Sequence, residues 1–191
     1  RESWLPGSGS ADEDLLWDLP TLRERSRDLN RNDGYASGIT STIVVNVVGT
    51  GIRPQSRIDK ESLGVEDTQA QEFQRKAERA WQKWTPFADS GNRMSFWEIQ
   101  QLVKRQVIEN GEIIIIATMI DEPGRPFYTA LDVIESDRLQ TPNDKIQDKS
   151  IRHGVEIGER GEPLAYWIKK THPGDASLRL GTQDAAKFIR Y

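Results

Sequence analysis

The apolar positions of this chain change period along its length, and the predicted elements follow those changes. Between Asn32 and Gln55 an apolar segment ends in Gly49-Thr50-Gly51 and turns into Ile52-Arg53-Pro54-Gln55. Tyr35, Ile39, Ile43 and Val47 recur every four residues, which predicts a buried helix face behind an Asn32 or Asp33 cap. The same segment is crowded with β-branched residues, Thr40, Thr42, Ile43, Val44, Val45, Val47 and Val48, which favour a strand. Local rules leave both readings open. Gly49 and Gly51 read as a helix stop and a bend.

Upstream, Arg1 to Ala11, with Pro6-Gly7-Ser8-Gly9-Ser10, has no period and reads as a mobile arm, extended to about residue 20. Thr21-Leu22-Arg23-Glu24 after Pro20 is a capping-box pattern, and Leu22 with Leu29 gives the helix that follows a narrow apolar edge. Downstream, Ser56 to Asp67 is polar loop. Thr68 to Gln71 offers a second box, ahead of a helix with Phe73, Ala77, Ala80, Trp81 and Trp84 on one face; Pro86 ends it. A third box, Ser95 to Glu98, opens a helix with Phe96, Ile99, Leu102, Val103 and Val107 inward, stopped by Asn110-Gly111.

After Gly111 the pattern becomes that of strands. Ile113 to Ile116 is a continuous apolar run within Glu112 to Ile120, expected to be buried on both faces. The turn Asp121-Glu122-Pro123-Gly124-Arg125-Pro126 returns the chain as Phe127 to Ile134, a hairpin. A second hairpin is predicted from His153 to Ile157 and Leu164 to Lys169, with Leu164, Tyr166 and Ile168 on one face. The predicted class is α+β, a helical first half followed by an antiparallel sheet of hairpins. Helices span about 21–110 and strands about 112–170, in one body covering 21–191.

Composition narrows the function classes. The 191 residues are 36% apolar and 29% charged, and no apolar run approaches membrane-spanning length. The formal charge is −4, which argues against a dedicated nucleic-acid binder and leaves only local or weak contact with DNA. With no cysteine there is no disulfide or thiolate metal site. Gly49-Thr50-Gly51 leads into Arg53-Pro54, not Gly-Lys-Ser/Thr, so no P-loop is present, nor a dinucleotide fingerprint.

Several local wordings recur together and in order. Arg27-Asp28-Leu29-Asn30-Arg31-Asn32 precedes the apolar segment, and Val47-Val48-Gly49-Thr50-Gly51-Ile52 ends it. Asn110-Gly111-Glu112-Ile113-Ile114, Ile134-Glu135-Ser136-Asp137-Arg138-Leu139, His153-Gly154-Val155-Glu156, Gly161-Glu162-Pro163-Leu164-Ala165-Tyr166 and His172-Pro173-Gly174-Asp175 follow. From about Thr21 to Asp175 the chain resembles the lambda-type portal proteins of tailed bacteriophages. The resemblance tips Asp33 to Val48 towards helix. It implies a non-enzymatic structural protein, without cofactor or metal, that forms a homo-oligomeric ring at one capsid vertex, through which DNA is packaged and ejected.

The implied partners are further copies of itself, the packaging terminase, head-completion or tail proteins, the capsid protein and the passing DNA, with no membrane. The implied location is the virion, after assembly in the cytoplasm of the bacterial host, whether from a phage or a prophage. Portal proteins of this type are much longer, and the chain opens on Arg1 rather than Met. The expectation is therefore a fragment, the N-terminal part of a longer portal protein.

Among chemically active residues, His153 and His172 lie on different elements without a ligand pattern. Asp12-Glu13-Asp14, Glu109 with Glu112, Asp121-Glu122, and Glu135 with Asp137 are the acids that a rival reading, a carboxylate-dependent hydrolase or nuclease, would use. Trp81 and Trp84 could stack on bases, but their register with Phe73 and Ala77 points to core packing. Arg23, Arg27 and Arg31 form a stripe at four-residue spacing and are the candidates for contact with something outside the chain. The alternative is a solvated helix, with Glu24 and Asp28 pairing to Arg27 and Arg31.

Overall fold

The computed structural model describes residues 8–177 and 187–191. They fall into two units, one made of the chain up to Leu29 together with Glu135–Tyr191, the other of Asn30–Ile134. Of the expected arm, residues 1–7 lie outside the described residues. Helix begins well before Thr21: α1 (Ala11–Leu15) is capped by Ser10, whose Oγ accepts from Glu13 N at 3.2 Å, and α2 runs Leu19–Asn32. Thr21 lies inside α2 rather than capping it.

In the Asn30–Ile134 unit the ambiguous segment is helical. Asp33 caps α3 (Gly34–Val48), its carboxylate accepting from Ala36 N at 2.8 Å, and Gly49 ends it at φ 54°. The buried face is Thr40, Val44 and Val48, not Tyr35, Ile39, Ile43 and Val47. Tyr35 is 86% exposed and Ile39 62%. The physical reason is that α3 carries no charged residue, so more than one four-residue series is apolar and neighbouring elements decide which is covered. Packing on α6 (Phe96–Asn110) makes that choice.

A short turn, α4 (Lys60–Leu63), precedes α5 (Asp67–Trp84). The capping box of α5 lies two residues before the expected Thr68–Gln71 box: Gln69 Oε1 accepts from Glu66 N at 3.2 Å. Its expected apolar face is only partly covered, since Phe73 is 59% exposed while Trp81 and Trp84 are half-buried. The Ser95 box of α6 forms as its sequence predicts, with Glu98 Oε2 accepting from Ser95 N at 2.7 Å. Ile99 is fully buried behind it.

β1 (Ile114–Met119) pairs antiparallel with β2 (Thr129–Ile134), in register from Ile114 opposite Ile134 to Met119 opposite Thr129. The pair forms a two-stranded sheet, so β1 is not buried on both faces: Ile115, Ala117 and Met119 face outward. The unit that contains Glu135–Tyr191 holds a four-stranded antiparallel sheet ordered β3 (Ile151–Arg152), β4 (Val155–Ile157), β5 (Pro163–Lys169), β6 (Phe188–Arg190). On β5 the expected Leu164, Tyr166, Ile168 face divides. Ile168 is buried beneath its bridge to Leu139, whereas Leu164 and Tyr166 are exposed. The α+β class holds.

Candidate functional site

The predicted arginines do not behave alike. Arg23 is buried, with 5% of its surface exposed. Arg27 donates to the Asp137 carboxylate, and His172 Nε2 lies 3.7 Å from the same acid. α2 supplies the arginines and the one-turn 3-10 helix Ser136–Arg138 supplies the acid. Burial pushes the Asp137 carboxyl up, but the Arg27 hydrogen bond and charge, reinforced by His172 and Arg23, outweigh it and hold the group below its ordinary value. Arg31, in the last turn of α2, is exposed.

The other acids are engaged singly. Asp12 meets Arg152 at 3.3 Å, Glu109 meets Arg105 at 3.5 Å, and Glu122 meets Arg125 at 2.9 Å. Glu135 is exposed and is separated in role from Asp137, which serves Arg27. Among the described residues no three His, Asp or Glu side chains converge as a metal-binding group, and no helix is long and apolar enough to cross a membrane. His153 sits in the turn between β3 and β4 at φ 47°, away from any such group.

Sequence reasoning missed Arg125. Its side chain is only 2% exposed, yet four hydrogen bonds surround the guanidinium: to Glu122 at 2.9 Å, and to the carbonyls of Phe87, Asp89 and Ser90 at 2.8, 2.9 and 3.1 Å. A buried guanidinium is tolerated only when its donors are met in this way. The result ties the β1–β2 turn to the segment after α5. The signal available was an arginine inside Pro-Gly-Arg-Pro between two apolar strands.

In the same unit an apolar groove of about 390 Å³ is lined by Ala77, Ala80, Trp81, Trp84, Phe127, Thr129 and Leu131. Trp84 Nε1 donates to Thr129 O at 2.7 Å, fixing one wall, and Trp81 stands edge-on to Phe96 with ring centroids 4.9 Å apart. On the far side of Trp81 the Gly49-Thr50-Gly51 bend is built around α6. Gln100 receives Ile52 N at 2.6 Å and donates to Ile52 O at 3.0 Å. A Cβ on Gly51, at φ 100°, would fall 1.9 Å from Trp97 Cδ1, so only glycine fits.

The unit thus presents scaffolding and apolar surface. Comparison with known proteins gives the same class a family. The chain belongs to the lambda family of phage portal proteins, whose family model matches residues 1–190. It is similar to the probable portal protein of Halomonas phage phiHAP-1, 33% identical over 191 residues, which is 96% of this chain and 36% of that protein. It is also similar to portal protein B of Escherichia phage lambda, 28% identical over 177 residues, 90% of this chain and 33% of that protein. The chain spans about a third of the length of these curated relatives.

Proposed function

We propose that this chain is the N-terminal part of a portal subunit, a structural protein without catalytic activity whose copies close into a ring at one capsid vertex of a phage or prophage. DNA passes through that ring during packaging and ejection. The observation that carries the reading is family membership over residues 1–190. In this reading the packaging terminase, the head-completion or tail proteins and the capsid protein dock on the ring. Assembly takes place in the host cytoplasm before the ring becomes part of the virion. A net charge of −4 keeps contact with DNA weak and non-specific. Of Arg23, Arg27 and Arg31, we assign only the exposed Arg31 to a contact outside the chain.

The test is electron microscopy with light scattering on the complete subunit. Closed rings are expected, and a subunit that stays monomeric under every assembly condition overturns the reading. The rival hydrolase or nuclease is tested on the same preparation with Mg²⁺ or Mn²⁺, ATP and plasmid DNA. No turnover is expected; turnover lost in a Glu135→Gln, Asp137→Asn variant would replace the structural reading with an enzymatic one.

A further inference from the structure

α6 ends on Asn110 and the chain leaves it through Gly111, and of the six asparagines Asn110 is the one that a glycine follows. An Asn-Gly pair carries its own chemistry. The Gly111 backbone nitrogen can attack the carbonyl carbon of the Asn110 side chain, because a glycine without a Cβ puts nothing in the way of the approach. The new C–N bond closes a five-membered succinimide, the nitrogen gives its proton to solvent base, and the side-chain amide leaves as ammonia. Water then opens the ring at one of its two carbonyls. The product is an aspartate, or an isoaspartate whose backbone runs through the side-chain carbons, and no electron is gained or lost.

The fold opposes the attack at both of its groups. Asn110 is 4% exposed, and its Nδ2, the leaving nitrogen, donates to Gln106 Oε1. Gly111 N, the nucleophile, donates to Val107 O at 3.1 Å, which holds it in the helix cap at φ 82°. Further chain packed on this unit adds to that burial. The fold also rejects the product. An acid at position 110 would lie at the negative end of the α6 dipole, between Glu109 and Glu112. The last turn of α6 carries no cation, and Arg105 before it is already paired with Glu109 at 3.5 Å, so the new charge would be buried uncompensated. We infer that Asn110-Gly111 is a latent deamidation site and a one-way trap. It is shut in the folded unit, it reacts when the junction of α6 and β1 opens, and the product does not close again into the native junction.

The test incubates the complete subunit at mildly alkaline pH, once in native buffer and once in urea, then digests it and follows the peptide that holds Asn110 by mass spectrometry. In urea Asn110 is expected to convert before the other five asparagines of this chain, and Gly111→Ala to slow it. In native buffer conversion is expected to be slower by about tenfold or more, in proportion to the fraction of molecules open at the junction. Asn110→Asp, the product made in advance, is expected to lower the melting temperature by several degrees. Equal rates in the two buffers, no preference for Asn110 in urea, or an Asn110→Asp subunit that melts with the parent overturns the inference. The portal reading depends on none of these outcomes.

Discussion

Arg125 and the Arg23–Arg27 pair are two solutions to the same problem, an arginine drawn inside the protein. In the Asn30–Ile134 unit, three of the four groups that receive Arg125 are backbone carbonyls. In the other unit, Arg27 depends on a carboxylate, Asp137, with Arg23 and His172 contributing to the same field. Carbonyls cannot titrate, so the first arrangement is a fixed clamp; the second is a charge balance that acid can undo. The difference teaches what each arginine is for. Arg125 ties the β1–β2 turn to the segment after α5, whereas Arg27 compensates a partly buried charge.

The largest effect is expected at the clamp. Arg125→Met leaves the half-buried carbonyls of Phe87 and Ser90 without their donor, while Asp89 O keeps Asn92 N at 3.1 Å. Each lost partner costs on the order of 1 to 3 kcal/mol, for a total of about 3 to 5 kcal/mol. Urea denaturation of the variant checks this, and the deficit should be nearly the same at pH 7 and pH 4. A deficit that disappears at pH 4 would mean Glu122, not the carbonyls, holds the guanidinium.

Asp137→Asn is expected to cost less, about 1 to 3 kcal/mol at pH 7, because both partners retain some solvent. Here the deficit must depend on pH. The folded Asp137 carboxyl is held below its ordinary value, so it contributes stability above the unfolded value, near 3.8, and loses it as the pH falls through the lower folded value. Parent and variant should therefore differ most near pH 6 to 7 and converge below about pH 4. Curves that stay parallel down to pH 3 would show that the charge on Asp137 contributes little.

This contrast also marks what the sequence could reveal. The Ser95–Glu98 cap and the β1–β2 hairpin were legible because each is decided by residues within a few positions or by a strong change of period. The buried face of α3 was not, since an uncharged helix offers several equivalent apolar series and only α6 distinguishes them. The stripe Arg23, Arg27, Arg31 was visible as spacing, but its inward members answer to Asp137, more than a hundred residues away. Arg125 looked like an ordinary turn residue because three of its four partners are backbone oxygens, which leave no trace in side-chain patterns. The proposed ring and its proposed partners rest on family resemblance and on no residue pattern.

The smallest effect is expected at Arg31, the member of the stripe on the solvent side. It lies in the last turn of α2, where a cation meets the partial negative charge of the helix end, a contribution of roughly 0.3 kcal/mol or a little more at low ionic strength. That interaction is screened by salt, unlike the enclosed bonds of Arg125. Arg31→Ala should therefore lower stability by a few tenths of a kcal/mol in dilute buffer and by nothing measurable in about 0.5 M salt, where charges more than roughly 4 to 5 Å apart are shielded. Thermal melts at the two ionic strengths make the comparison. A salt-resistant loss above about 1 kcal/mol would put Arg31 with Arg125 and Arg27 as an interior residue, and would remove the ground for assigning it a contact outside the chain.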